Sequence, residues 1–234
     1  MLYDINTLNS SKDIVDSLEE IFIIDKKSGE VYEMPSRYIK LEDFRISYPG
    51  KTLSFNFTFQ VGRKYVVKGS SGRGKTTLLN AILGRCSTQG NIFVDNVERY
   101  LTEEECYYCS QQQHIFNDST FNNITLFGSY PYLNILNEEE TILREMIKEI
   151  SDCSALSGGE KQILKLYRLL VQRKPILLLD EPFSALDNAN TRKAFHILSD
   201  LSATIILVSH NVEFDGSDLD KWEIINIEEI CYEM

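Results

Sequence analysis

Gly69-x-x-x-x-Gly74-Lys75-Thr76 places bare backbone, an ammonium and a hydroxyl in one short loop, after the β-branched run "KYVVKG" and before an apolar stretch of helical period. Glycine lets the chain wrap close to an anion with its N–H groups pointing inward, and the helix that follows adds the positive end of its dipole. The loop formed by Gly69, Ser70, Ser71, Gly72, Arg73, Gly74, Lys75, Thr76 and Thr77 is therefore expected to cradle a chain of phosphates. Lys75 would reach the β- and γ-phosphates, and the Thr76 hydroxyl would bind Mg²⁺. Charge-assisted hydrogen bonds contribute about 1.5–3 kcal/mol each, so several together hold a triphosphate without large apolar burial. A glycine-rich turn with an incidental lysine is the bland alternative; the strand before the loop and the helix after it favour phosphate.

A second element ends in carboxylates. "PILLLDEP" runs through four large aliphatics into Asp180 and Glu181. A solvated acidic loop has no need of such a lead-in, whereas a strand covered on both faces does. At the tip of that strand Asp180 is expected to orient Mg²⁺ and Glu181 to face an attacking water. A third element, Leu156-Ser157-Gly158-Gly159-Glu160, again puts bare backbone at the start of a helix, "KQILKLYRLLVQ". It offers N–H groups to an anion, and such an end is surplus within a single phosphate site.

The surrounding chain shows what must position these groups. "YIKLEDFRIS" and "TLSFNFTFQ" alternate apolar with polar residues around "YPGK", Tyr48 to Lys51, and read as an antiparallel hairpin. "KYVVKG", "NIFVDN", "PILLLDEP" and "ATIILVSH" read as further strands; Thr76 to Leu83 and the run after Gly159 read as helices. Buried strands alternating with helices predict an α/β fold, a mainly parallel sheet with an antiparallel edge near its start. Apolar residues from Ser11 to Phe22 and the charged stretch "NEEETILREMIKEI" also carry helical period, with a turn-rich connector at Lys26 to Arg37.

The 234 residues, 43% hydrophobic, suffice for a sizeable core. No apolar run approaches the length of a membrane span, and no secretory leader is evident. A net charge of -11 without a basic run argues against nucleic acid. The five cysteines are scattered, and the lone C-x-x-C pair, Cys106 and Cys109, has no second pair or nearby histidine for zinc; reduced thiols in a cytosolic setting are the expectation.

With the phosphate loop, the "ILLLDEP" strand and "LSGGE" in this order, the chain resembles the nucleotide-binding domain of ABC transporters over about its last 195 residues. The resemblance implies a P-loop, RecA-like parallel core with an antiparallel β subdomain and a small helical lobe, and hydrolysis of ATP with Mg²⁺. It implies that Tyr48 stacks on adenine, that Gln111 in "CSQQQHIF" senses Mg²⁺ and the attacking water, and that His210 contacts the γ-phosphate. Of three adjacent glutamines, only Gln111 brings Ile115-Phe116 and Asn123-Ile124 into the family's register. Ser184 and Asp187 match the family's D-loop, while His114 and His196 match nothing and are read as structural. It further implies that Ser157, Gly158 and Gly159 complete the site of a second nucleotide-binding domain, so that two chains, alike or different, enclose two ATP molecules head to tail.

Within that family, the stretch from Ser11 to Gly50 resembles the linker of exporter half-transporters. The expected division is a linker and peripheral helix over 1–38 and the ATPase domain over 39–234, with the helical lobe inserted at about 112–160. The transmembrane partner would then belong to the same polypeptide, and the domain would work at the cytoplasmic face of the cell membrane. Import, and an ATP-closed clamp without transport, are the alternatives. Arg73 stands where the family prefers a small residue, "DEPFSALD" replaces the exporters' usual "DEATSALD", and the interval from Gln111 to Leu156 is short for the helical lobe.

Overall fold

A computed structural model describes residues 37–48, 51–86, 88–111, 113–129, 152–210 and 218–233. The helical periods at Ser11 to Phe22 and in "NEEETILREMIKEI", the connector before Arg37, the centre of the "YPGK" turn and much of the expected helical lobe lie outside the described residues.

Alternation in the early chain gives β1 (Tyr38–Tyr48) and β2 (Lys51–Gln60), paired antiparallel. They form a five-stranded sheet with β4 (Thr88–Val94), β5 (Val97–Glu98) and β10 (Cys231–Glu233), in the order β10-β2-β1-β4-β5. The antiparallel strands thus make a sheet of their own. The other sheet is parallel and contains β3 (Lys64–Lys68), β6 (Cys106–Cys109), β7 (Ile176–Asp180), β8 (Thr204–Ser209) and β9 (Trp222–Asn226), in the order β6-β7-β8-β3-β9.

The described residues also form helices α1 (Lys75–Ile82), α2 (Thr120–Thr125), α3 (Gly158–Gln172), α4 (Asn188–Asp200) and α5 (Ile227–Ile230), with short 3-10 turns at Cys153–Ala155 and Leu219–Lys221. Successive residues of the parallel strands go to opposite sides. Val67, Leu178 and Ile206 share one core with α1 and the antiparallel sheet. Val66, Leu177, Leu179 and Leu207 share the other with α3 and α4. Cover on both faces is why these strands read as unbroken apolar runs. Cys106 belongs to the first core and Cys109 to the second, so the C-x-x-C pair is split between faces of one strand.

Strands running the same way bring their C-terminal ends to one edge, where ligands of open α/β sheets bind. Gly69 follows β3, Gln111 follows β6, Asp180 ends β7 with Glu181 next, and His210 follows β8. Among the described residues no helix is long and apolar enough to cross a membrane.

Candidate functional site

At that edge lies a cavity of about 380 Å³ lined by Ser71, Gly72, Gly74, Lys75, Thr76, Thr77, Gln111, Glu181 and His210, with Leu53 of β2. Its size suits a ligand of nucleotide dimensions. The loop owes its path to glycine at two places. Gly74 has φ +99°, in the left-handed region, and starts α1. A Cβ on Gly69 would stand 2.3 Å from Cγ2 of Ile227, so α5 packs directly against the loop's backbone. Helix α1 has no side-chain cap and no acidic residue in its first turn, which directs its positive end to an anion.

Lys75 is buried, and its Nζ donates to the carbonyl oxygens of Gly69 at 2.7 Å and Ser70 at 3.0 Å. The ammonium is thus folded into the cradle that the loop forms, where phosphate oxygens could take over from the two carbonyls. Arg73, exposed, reaches Glu228 of α5 at 3.8 Å.

Thr76 Oγ1 donates to Asp180 Oδ1 at 3.0 Å, and the Tyr108 hydroxyl donates to Asp180 Oδ2 at 3.4 Å. Asp180 is buried beneath the cavity. Burial pushes its carboxyl up, with Glu181 adding to the effect and the Thr76 hydroxyl opposing it. Burial, with Asp180 beside it, pushes Tyr108 up to about 12. A carboxylate held in this state beside a hydroxyl suits a hard divalent cation. Among the described residues no three His, Cys, Asp or Glu side chains converge as a metal site; what they offer a cation here is Thr76 and Asp180, with Gln111 on the cavity wall. The other ligands would be phosphate oxygens and water, as Mg²⁺ prefers.

Glu181 turns the chain off β7 with φ +50°, unusual for a side chain other than glycine, and its N–H is anchored on the Val208 carbonyl at 3.0 Å. Its Oε1 lies 2.6 Å from His210 Nδ1 and its Oε2 accepts from Ser209 Oγ at 3.3 Å. Gln111 borders the cavity, whereas Gln113 bonds the Tyr107 hydroxyl at 2.8 Å. The side chain of Tyr48 lies outside the described residues, although its backbone pairs with Lys51 at the end of β1.

Ser157, Gly158 and Gly159 do not line this cavity. Ser157 caps α3 instead: its Oγ accepts from the Glu160 N–H at 3.3 Å, and the Ser157 N–H donates to Glu160 Oε2 at 2.9 Å. Gly158 is exposed, and a Cβ on Gly159 would meet the Ala185 carbonyl at 3.0 Å. Ser184 is exposed, and Asp187 caps α4 by accepting from the Asn190 N–H at 2.8 Å. His114 packs edge-on to Phe116, and His196 Nδ1 lies 2.9 Å from Asp218.

Three groups at or behind the cavity carry no signal in the sequence. Leu53 contributes an apolar wall from the antiparallel sheet, and nothing in its alternating strand distinguishes it. Lys165 and Arg168, buried on α3, hold the chain just past β6: Lys165 Nζ donates to the Gln111 carbonyl at 2.9 Å, and Arg168 Nη1 to that of His114 at 2.6 Å. Both would pass for the solvated side of an amphipathic helix.

The family description "ABC transporter" matches residues 53–184. Among curated relatives, the thiamine import ATP-binding protein ThiQ of Photorhabdus laumondii is 31% identical over 190 residues, 75% of this chain and 81% of the relative. ThiQ of Shigella flexneri is 32% identical over 190 residues, 75% of this chain and 82% of that protein. Among solved structures, a bacterial Atm1-family ABC exporter with ATP bound superposes with a TM-score of 0.66 at 20% identity, over 95% of this chain. The chain spans 44% of that exporter. A dimeric ATP-binding cassette in a post-hydrolysis state, bound to ADP and Pi, superposes with a TM-score of 0.61 at 22% identity, over 74% of this chain and 88% of that one. The two structures share the fold.

Proposed function

We propose, for a chain that belongs to the ABC transporter family as an ATP-binding and ATP-hydrolysing subunit, that it acts as one half of a dimer which closes on two ATP molecules to drive transport. One observation carries this reading: the cavity gathers the phosphate loop, Gln111, Glu181 and His210, while the anion-binding end at Ser157 to Gly159 stands apart from it. That end is then the wall that each chain lends to the other's nucleotide.

Within one half, the loop N–H groups and Lys75 hold the β- and γ-phosphates, and Tyr48 stacks on the base. Thr76, Asp180 and Gln111 would hold Mg²⁺, which would supply positive charge against the phosphates. Glu181 accepts a proton from the attacking water, and His210 fixes the carboxylate through Nδ1. An ionised carboxylate can only accept, so Nδ1 presents its N–H to Glu181, and Nε2 would reach a γ-phosphate oxygen only as a second N–H donor, in the imidazolium form. Residues 39–234 form the ATPase domain in this reading, and 1–38 its linker to a transmembrane partner at the cytoplasmic face of the membrane.

Export is the direction favoured by residues Ser11 to Gly50, which resemble an exporter linker. Import is the second reading, favoured by the ThiQ relatives, which are named for import and match 75% of the chain. The reading frame upstream of residue 1 separates them. A fused set of apolar helices means export; a separately encoded membrane subunit that co-purifies with the chain means import.

A further inference from the structure

We infer that Lys165 is a positioning residue for Gln111, fixing to α3 the backbone from which the Gln111 side chain enters the nucleotide cavity. The inference deepens the ATPase reading and rests on it for its catalytic consequence.

Lys165 is 7% exposed, on a helix whose neighbouring Leu164, Leu166 and Leu169 are buried among aliphatics. An ammonium taken so far out of water is strongly disfavoured unless it is paired or hydrogen-bonded. Burial accordingly pushes its pKa down. Leucine or methionine would fill the space at lower cost.

What the ammonium adds is a hydrogen bond of 2.9 Å to the carbonyl of Gln111. Gln111 is itself exposed, so this bond ties a surface loop to the buried side of α3.

The rest of the segment is gripped from the same helix. Arg168, 2% exposed, donates through Nη1 to the His114 carbonyl at 2.6 Å, through Nε to the Asn123 carbonyl at 2.6 Å and through Nη2 to Asn123 Oδ1 at 2.7 Å. Asn123 in turn bonds both the N–H and the carbonyl of Phe116, at 2.8 and 3.0 Å. A guanidinium with three such partners, over the Phe116 ring at 5.6 Å, anchors the far end. Lys165 anchors the near end, where the chain leaves β6 and the cavity begins.

The test uses Lys165→Met, which keeps the stem and removes the donor, alone and combined with Gln111→Ala. Hydrogen exchange in the intact chain should quicken about fivefold or more in peptides spanning 110–116 and stay unchanged in those spanning 64–84. ATP turnover should fall about tenfold, with KM and the affinity for a fluorescent ATP analogue within about twofold. In the Gln111→Ala background the second substitution should have no further effect on kcat. Lys165→Gln, polar and shorter, carries the same expectations should the methionine variant fold poorly. Unchanged exchange at 110–116, or an equal loss of kcat with and without Gln111, overturns the inference. A parent chain that hydrolyses no ATP would instead sink the ATPase reading, and the exchange result would still decide whether Lys165 holds the loop.

Discussion

His210 Nδ1 stands 2.6 Å from Glu181 Oε1, while Ser209 Oγ donates to the other oxygen of the same carboxylate at 3.3 Å. Two consecutive residues at the end of β8 therefore fix both oxygens of the acid at the end of β7. The pairing of β7 with β8, with Asp180 opposite Val208, is what brings them into register. His210→Ala should lower kcat for ATP about 10²-fold, the scale of a lost acid–base partner, with ATP affinity within about threefold. Steady-state hydrolysis and fluorescent-nucleotide titration check this together.

Lys75→Ala removes the ammonium that the phosphate loop encloses. A charge-assisted bond of about 1.5–3 kcal/mol corresponds to roughly a 10- to 100-fold weaker Kd for ATP. Circular dichroism should be unaltered. If the variant bound ATP as tightly as the parent, the role given to the loop would be wrong.

Asp180→Asn tests the cation site from its electrostatics. Burial holds the Asp180 carboxyl above the usual carboxylate range, so the folded chain without ligand disfavours its charge. A neutral amide should therefore leave the stability of the nucleotide-free chain within about 1 kcal/mol of the parent. The same substitution should abolish the gain in ATP affinity that Mg²⁺ confers, as read by titration with and without the cation.

Glu105 lies in a fork with Arg99, at 2.7 Å on each oxygen, on the approach to β6. The Arg99 guanidinium, with help from the Thr102 N–H, holds its carboxyl down at about 2. A depressed carboxylate contributes stability that is complete above its unfolded-state value and fades as pH falls towards 2. Glu105→Gln should cost about 1 kcal/mol at pH 7. The gap from the parent should close progressively below pH 4.5, the group's ordinary value, in chemical denaturation followed across pH.

The parts of the site carried by local chemistry were legible in the sequence. Gly69 to Thr76 and the aliphatics before Asp180 encode their surroundings, because a loop that turns through left-handed backbone and a strand buried on both faces each demand particular residue types. Lys165 and Arg168 were not legible: a charged residue on an amphipathic helix reads as solvated until the loop that covers it is known. Strand β6, "CYYC", is too short to show a period, and β10 forms only because the C-terminal chain returns to pair with β2. Ser157 held a second signal, since Ser157-x-x-Glu160 is capping-box spacing, and the structure uses it to start α3.

On the proposed function one chain leaves its nucleotide site half-built, and the Ser157 to Gly159 end of a second nucleotide-binding domain, in the simplest case another copy, completes it. Light scattering on purified Glu181→Gln measures this most directly, since ATP should bind but not turn over. The account predicts one chain's mass without nucleotide and twice that mass in saturating MgATP. A variant that binds ATP and still scatters as a single chain in saturating MgATP would contradict it.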